Sequence, residues 1–380
     1  VIAACVADYR ELARRRLPRV LFDYIDGGSY GEVTLRRNVE DLEAIALRQR
    51  VLRDVSTISL ATEWFGQPLS MPVALAPVGM AGMYARRGEA QAARAAQAAG
   101  VPMILSTVSV CDLSEVKAAT GEAPWFQLYM IKDRAYMADL LARAAALGVK
   151  VLVFTVDLPV PGARYRDYRT GLFGGNAAKT FLKRGLDGAL HPDWVQDVWL
   201  RGRPHSFGNI AAAIPDARGI MEFWPWVTRN FDPTLTWADL EWVRQHWKGP
   251  IVLKGVLDPE DAREAVRHGV DGIVVSNHGG RQLDGVLSGA RALPAIAQAV
   301  GDETTVLMDG GVRSGLDVVK ALALGAKGVL IGRAWAWALG ARGEAGVAHV
   351  LAVLRQEMMM TMALTGCTDV RAADSSLLAQ

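Results

Sequence analysis

The chain has 380 residues, 51% hydrophobic and 22% charged, which excludes intrinsic disorder and is long enough to bury a sizeable core. Its 42 basic and 40 acidic residues give a formal net charge of +2, so no global field recruits nucleic acid. Cys5, Cys111 and Cys367 lie far apart without metal-ligand spacing; this excludes a disulfide scaffold, gives no zinc site and suits a reducing compartment.

Residues 1–70 read as an N-terminal extension, helical at first, that covers one end of the remaining fold. Its opening VIAACVADYRELARRRLP sets a short apolar run before the charges, the reverse of a secretory signal. From residue 71 the chain alternates short β-branched runs with Ala-rich amphipathic segments. Eight runs occur, at 72–77, 102–107, 125–130, 151–156, 251–255, 272–277, 305–310 and 328–333. Most lack polar alternation, as expected of strands covered on both faces. Helices fall over 88–100, 133–148, 258–269 and 314–325, with Asp258 and Ser314 as N-caps and closing glycines as C-caps.

Eight strand–helix units favour a closed α/β TIM (β/α)8 barrel formed by 71–157 and 251–340. No GxGxxG opens a helix after a strand, which disfavours an open dinucleotide-binding sheet. Residues 158–250 form a long insertion after strand 4, and 341–380 a C-terminal helical segment, all within a single domain spanning 1–380. Pro and Gly interrupt the uncharged windows 64–85 and 95–111, so no transmembrane helix is expected.

In a barrel the active site forms at the C-terminal strand ends. Those ends carry Pro77-Val78-Gly79, Ser106-Thr107, Gln127 and Tyr129, Thr155 and Asp157, Lys254, Ser276-Asn277-His278, Asp309-Gly310-Gly311 and Gly332-Arg333. Polar groups in such apolar runs call for a bound polar ligand. Asp309 to Arg313 and Gly332-Arg333 set glycine amides and two guanidiniums after strands seven and eight, where barrels hold phosphate. In SNHGGRQLDG (276–285), His278 is a candidate general base and Arg281 a candidate carboxylate ligand, since imidazole titrates near neutrality and guanidinium pairs bidentately. Asp157 can orient the imidazole. Lys254 alone admits a Schiff-base lyase on a phosphate-binding barrel as another reading.

SNHGGRQLDG, TVDLPVPGARYRD (155–167), WFQLY (125–129), DGGVRSG (309–315) and FDYIDGG (22–28) together resemble the FMN-dependent 2-hydroxy acid oxidase and dehydrogenase family, over nearly the whole chain. RRNVEDLEAIALRQR, MPVALAPVGM, LSTVSVCDL and GPIVLKGVLDPEDAR are similar to its bacterial membrane-associated L-lactate dehydrogenase branch. The resemblance implies an FMN ring near Pro77, Val78, Gly79, Ser106, Gln127 and Thr155, with Ser276 among the contacts. It puts the phosphate at Asp309, Gly310, Gly311, Arg313, Gly332 and Arg333, and Lys254 beside the flavin N1 and C2 carbonyl. Arg281 and Arg164 would hold the substrate carboxylate, Tyr24 would add a hydroxyl donor, and Tyr129 would lie near the substrate hydroxyl. His278 would take a proton as a 2-hydroxy acid, expected to be L-lactate, becomes a 2-keto acid; mandelate and glycolate offer the same groups.

Gly79 stands where oxidases of this family often carry alanine, which leans against oxygen as acceptor and leaves a soluble oxidase as the alternative. In the insertion, Phe173, Phe181, Trp194, Trp199, Phe207, Phe223, Trp224 and Trp226 interleave with Lys179, Lys183, Arg184, Arg201 and Arg203. That pattern suits a bilayer interface as well as a packed cap. The resemblance implies peripheral contact through 172–230 on the cytoplasmic side of the inner membrane, a quinone acceptor and a homotetramer. Deleting 178–220 is then expected to release the chain from the membrane while preserving reduction by substrate.

Overall fold

A computed structural model describes residues 2–172, 185–213 and 223–379. The extension begins with three helices, α1 (Val6–Arg16), α2 (Arg19–Asp26) and α3 (Val33–Glu43). A hairpin of β1 (Thr62–Trp64) and β2 (Gln67–Leu69) comes next, turning through Phe65 and Gly66 at φ 52° and 73°. Left-handed backbone at both turn residues matches the twist of a two-residue hairpin.

All eight expected runs are strands: β3 (Val73–Leu75), β4 (Ile104–Ser106), β5 (Trp125–Leu128), β6 (Leu152–Thr155), β7 (Ile251–Val256), β8 (Gly272–Val275), β9 (Thr305–Asp309) and β10 (Gly328–Ile331). They pair in parallel in the order β3-β10-β9-β8-β7-β6-β5-β4. A parallel bridge from Leu75 to Met103, with the Leu75 amide donating to Pro102 O at 2.9 Å, closes the ring into a (β/α)8 barrel. The expected caps are present: Ser314 accepts from the Asp317 amide and Asp258 from the Glu260 amide. Gly100, Gly148, Gly269 and Gly325 terminate their helices at positive φ.

Inside the barrel, Ala74, Ile104, Val153, Val252, Val274, Leu307 and Leu330 pack together. The hairpin plugs the end where the strands begin. Phe65 packs edge-on to Trp125 with ring centroids 5.7 Å apart, and the Trp64 indole N–H donates to Lys327 O at 3.2 Å. A methyl group on Gly328 would stand on the Trp64 ring, so the plug and that glycine fit each other.

The extension therefore covers both ends of the barrel, not one as expected. Its hairpin seals the entry end, while α2 and α3 lie on the opposite rim. There Asp284 accepts from the Val33 and Thr34 amides at 3.1 and 2.7 Å, capping the start of α3. Lys320, itself buried, donates to Leu42 O at 2.7 Å near the end of α3. Asn38 and Asn277 exchange reciprocal amide hydrogen bonds of 2.9 and 2.7 Å.

The helix Arg333–Thr365 is long and apolar enough, by length and composition alone, to cross a membrane. Arg342 and Gly343 interrupt it with non-helical backbone, and Trp335, Leu339, Val350 and Leu354 are buried in the protein core.

The insertion is in part a packed cap. Trp194, Val198, Phe207, Ile210, Trp226, Val227 and Phe231 are buried, and the Trp194 indole donates to Met83 O at 2.8 Å. Leu186, Leu190, Trp199 and Leu200 remain exposed. Phe173, Lys179, Phe181, Lys183 and Arg184 lie outside the described residues, as do the side chains of Phe223 and Trp224. Because 178–220 contains buried anchors, its deletion is no clean test of membrane attachment.

Candidate active site

The strand ends and the rim of the extension enclose a cleft with about 1060 Å³ of empty space. Pro77, Val78, Gly79, Tyr24, Tyr129, Arg164, Lys254, His278, Arg281, Asp309, Gly310, Gly311, Arg313, Gly332 and Arg333 all line it. Ser106, Gln127, Thr155 and Ser276 are buried at the ends of their strands.

His278 succeeds β8 in left-handed backbone, φ 58°, a conformation costly for a non-glycine residue and one that clusters at functional sites. Two glycines come after it because the rim is crowded: a methyl on Gly279 would press on the Arg333 guanidinium and one on Gly280 on the Leu35 backbone, and in the turn after β9 one on Gly311 would overlap Asn38 O. Both glycine turns thus clasp α3.

The His278 Nδ1 lies 2.8 Å from Asp157 Oδ1. A carboxylate only accepts, so Nδ1 carries the proton and Nε2 keeps its lone pair. Nε2 faces the Tyr129 hydroxyl at 3.4 Å. Burial depresses the imidazole pKa below its ordinary value and outweighs the pull of Asp157 in the other direction. Burial alone would raise the Asp157 carboxyl, but His278 and Lys254 overcome it and keep it ionised. The pair is an uncharged base held by an anion.

Opposite stand two cations. Arg281 donates to Tyr24 O and Gly27 O at 2.5 and 3.0 Å, with its guanidinium 4.7 Å from the Tyr24 ring centroid. The Arg164 guanidinium lies 5.9 Å from the same centroid. Burial and repulsion from Arg281 push the Arg164 pKa down, as in a site awaiting an anion. Tyr24, expected as a hydroxyl donor, lines the cleft and also sets its ring against both guanidiniums. Beneath them Asp167 is buried, and its carboxyl is pushed up to about 6.

Lys254 lies 2.9 Å from Asp309 Oδ2 and donates to Ser276 Oγ at 3.0 Å. Burial works against its charge, yet Asp309 and Asp157 raise its pKa above the ordinary lysine value. A permanently charged ammonium is a poor Schiff-base nucleophile. One Asp309 oxygen thus holds Lys254, while Asp309 also lines the cleft at the head of the glycine segment expected to bind the cofactor.

Four buried polar atoms have no partner: Asp309 Oδ1 and Arg333 Nε in the cleft lining, and Gln127 Nε2 and Thr155 Oγ1 at the strand ends, outside that lining. They supply donors for a heteroaromatic ring edge, an acceptor for chain hydroxyls, and a donor for a terminal anion. Arg313 adds a second cation there, stacked 4.9 Å from the Trp337 ring centroid, its pKa lowered to about 10 by burial. A flavin mononucleotide has that sequence of groups, so the residues fit it.

Residues 13–380 match the family model described as FMN-dependent dehydrogenase. The chain belongs to that family. It is accordingly an FMN-dependent oxidoreductase, and its barrel is the fold of such flavoproteins. It is 62% identical over 380 residues to the L-lactate dehydrogenase of Caulobacter vibrioides, covering 100% of this chain and 98% of the relative. Identity to the L-lactate dehydrogenase of Xanthomonas euvesicatoria is 58% over 380 residues, covering 100% and 97%. Among solved structures, a monotopic membrane protein, (S)-mandelate dehydrogenase, superposes with TM-score 0.92 at 35% identity over 100% of both chains. Mandelate oxidase superposes with TM-score 0.83 at 40% identity over 99% and 98%. As in this family, the chemistry is oxidation of a 2-hydroxy acid.

Sequence reasoning passed over Tyr84 and Phe231. The Tyr84 hydroxyl donates to Gly79 O at 2.8 Å, fixing that peptide from below. Phe231 packs 5.2 Å from Tyr129, bringing the insertion into the cleft wall. A tyrosine five residues past a strand-end glycine is a weak signal, and Phe231 is remote in sequence from Tyr129.

Proposed function

We propose that this chain oxidises L-lactate to pyruvate and passes the two electrons to a quinone, as a homotetramer lying against the cytoplasmic side of the inner membrane. The observation that carries the reading is the opposition of an uncharged, carboxylate-held imidazole, His278, to the two guanidiniums on Tyr24 within one cleft. The lactate names of the full-length relatives support the substrate, and the monotopic neighbour supports the membrane contact.

Arg281 and Arg164 receive the substrate carboxylate, where bidentate geometry fixes its orientation. This sets C2 and its hydroxyl between Tyr129 and His278. Nε2 of His278 accepts one proton, and Asp157 stabilises the imidazolium so formed. Bound FMN would supply the acceptor for the two electrons and for the second hydrogen that leaves the substrate. Pro77, Val78, Gly79, Ser106, Gln127, Thr155 and Ser276 would hold its ring, Lys254 the N1 and C2 carbonyl edge, Asp309 its chain next to the phosphate, and Gly310, Gly311, Arg313, Gly332 and Arg333 the phosphate itself. The quinone then takes up two electrons and two protons to become a quinol, closing the cycle.

A second reading, a soluble oxidase or a mandelate or glycolate dehydrogenase, draws on the mandelate oxidase likeness. Anaerobic stopped-flow bleaching of the flavin with L-lactate, (S)-mandelate and glycolate separates the substrates, and reoxidation by a short-chain quinone or by oxygen separates the acceptors. Lactate is expected to bleach fastest and quinone to reoxidise faster than oxygen; the reverse order in either arm sinks that half of the proposal. His278→Gln should slow bleaching by about 10²–10⁴-fold with FMN retained.

A further inference from the structure

The insertion sends one buried side chain into the barrel wall. Asn209 is 1% exposed, and its side chain is shared among three partners. Its Oδ1 accepts from the Leu113 amide at 2.9 Å, and its Nδ2 donates to Ser106 O at 3.2 Å and to Ser109 Oγ at 2.9 Å. Its own carbonyl accepts from the Tyr136 hydroxyl at 2.7 Å, and the neighbouring Gly208 amide donates to Ser109 O at 3.1 Å. There is no room for another backbone course: a methyl on Gly208 would lie 2.6 Å from the Asp112 amide nitrogen.

What Asn209 grips is the end of β4. Ser106 Oγ donates to Gln127 Oε1 at 3.1 Å, which turns the Gln127 Nε2, buried and unpartnered, to the other side of the amide. The same Ser106 Oγ accepts from the Val108 amide at 3.2 Å, and Val108 lines the cleft. We infer that Asn209 is a positioning residue through which the insertion fixes Ser106, Gln127 and Val108, making the insertion part of the flavin site as well as its outer cover. The inference rests on the proposed roles of Ser106 and Gln127 at the flavin ring. Its physical basis is that a buried amide with every partner satisfied over-determines the geometry of the turn it holds, whereas loss of its donor takes one of two hydrogen bonds from Ser106 O and leaves the one from the Ser109 amide at 3.2 Å.

The test uses the purified, FMN-loaded full-length chain and the variants Asn209→Asp and Asn209→Ala. Asn209→Asp keeps the size and the acceptor for Leu113 but replaces the donor aimed at Ser106 O by an oxygen. The readouts are the FMN dissociation constant by fluorescence titration of the apoprotein, the visible flavin spectrum, and anaerobic reduction by L-lactate at varied concentration. Both variants are expected to weaken FMN binding roughly tenfold, to shift the flavin band, and to lower the limiting reduction rate per bound flavin. The apparent lactate dissociation constant should stay within about twofold, because Arg164 and Arg281 receive nothing from Asn209. A merely structural asparagine would lower the unfolding temperature and leave the flavin band, the FMN affinity and the rate per bound flavin at their wild-type values. That result in both variants overturns the inference. Should Asn209→Ala fail to fold, Ser109→Ala removes one acceptor of the Asn209 amide, together with the hydroxyl donor to Cys111 O at 2.7 Å, and must move the same readouts in the same direction. A wild-type chain that neither binds FMN nor bleaches with lactate would instead bring down the proposed function, and this inference with it.

Discussion

Val108 stands against Gly79 so closely that a methyl group added to the glycine would lie 2.9 Å from Val108 Cγ2 and 3.5 Å from the Tyr24 hydroxyl. Gly79→Ala must therefore displace the valine or the β3 turn. We expect lactate-driven reduction to fall about tenfold, and Gly79→Ala combined with Val108→Ala to recover most of it, a coupling of about 1 kcal/mol. Stopped-flow rates for the two single variants and the double variant check this; additive losses would refute the steric origin.

The pH dependence arises from two neighbouring groups that move oppositely. In the proposed mechanism activity needs His278 uncharged, and its depressed pKa puts the acid limb of kcat/KM below the ordinary imidazole value of 6.5. As pH falls through about 6, Asp167 takes up a proton and stops neutralising Arg164 and Arg281. Lactate should then bind more tightly while turnover fails, so KM falls together with kcat. Asp157→Asn removes a charge that raises the imidazole pKa, so its acid limb should move lower still on a slower plateau. Initial rates measured from mildly acidic to mildly basic pH decide, and a KM that rises in the acidic range would contradict the Asp167 assignment.

Arg281→Lys should cost more than a charge-conserving change suggests. The guanidinium stacks on Tyr24 and donates to two α2-end carbonyls, and an ammonium cannot keep both contacts and the bidentate grip. We expect substrate binding to weaken by roughly 10–100-fold, about 1.4–2.8 kcal/mol, with FMN affinity unchanged. Titration of the oxidised enzyme with a lactate analogue measures it.

At the other end of the barrel, Trp64→Ala should empty the plug. Removing a buried tryptophan costs about 3–5 kcal/mol, visible as a lower urea midpoint. The reduction rate per bound flavin should not change, because the plug faces the strand starts. A changed rate at unchanged stability would mean that the two ends of the barrel are coupled.

Membrane attachment is better tested by substitution than by deletion. Leu190 and Leu200 are 78% and 57% exposed and belong to no core. Changing both to serine should reduce partition onto anionic vesicles by at least about tenfold, since each leucine contributes about 1.5–3 kcal/mol when fully buried. Reduction by lactate should persist in solution. Vesicle sedimentation that does not change would locate the contact elsewhere.

The barrel was legible because its strands are buried on both faces and stand out as short apolar runs, such as VLVFTV and IVLKG. The residues lining the cleft were legible because polar groups recur where those runs end. The hairpin was not, since a Phe-Gly turn lacks the usual Asn-Gly cue and Trp64 reads as one aromatic among many. Asn38, Asn209 and Lys320 were invisible for a common reason: each satisfies backbone or amide groups distant in sequence, and nothing local announces it. The composition of the insertion suits both a cap and a membrane foot; different residues in it serve the first role and leave exposed surface for the second.

The clamps on α3 set an order of assembly. Val33 and Asp284 are 251 positions apart, and Leu42 and Lys320 are 278 apart, so a nascent chain makes this helix long before either stopper exists. Until those partners emerge, its end groups remain with water and its rim has nowhere to dock. The loop that carries His278 is tied to the same helix, so the rim around it can be completed only after residue 320 has been made.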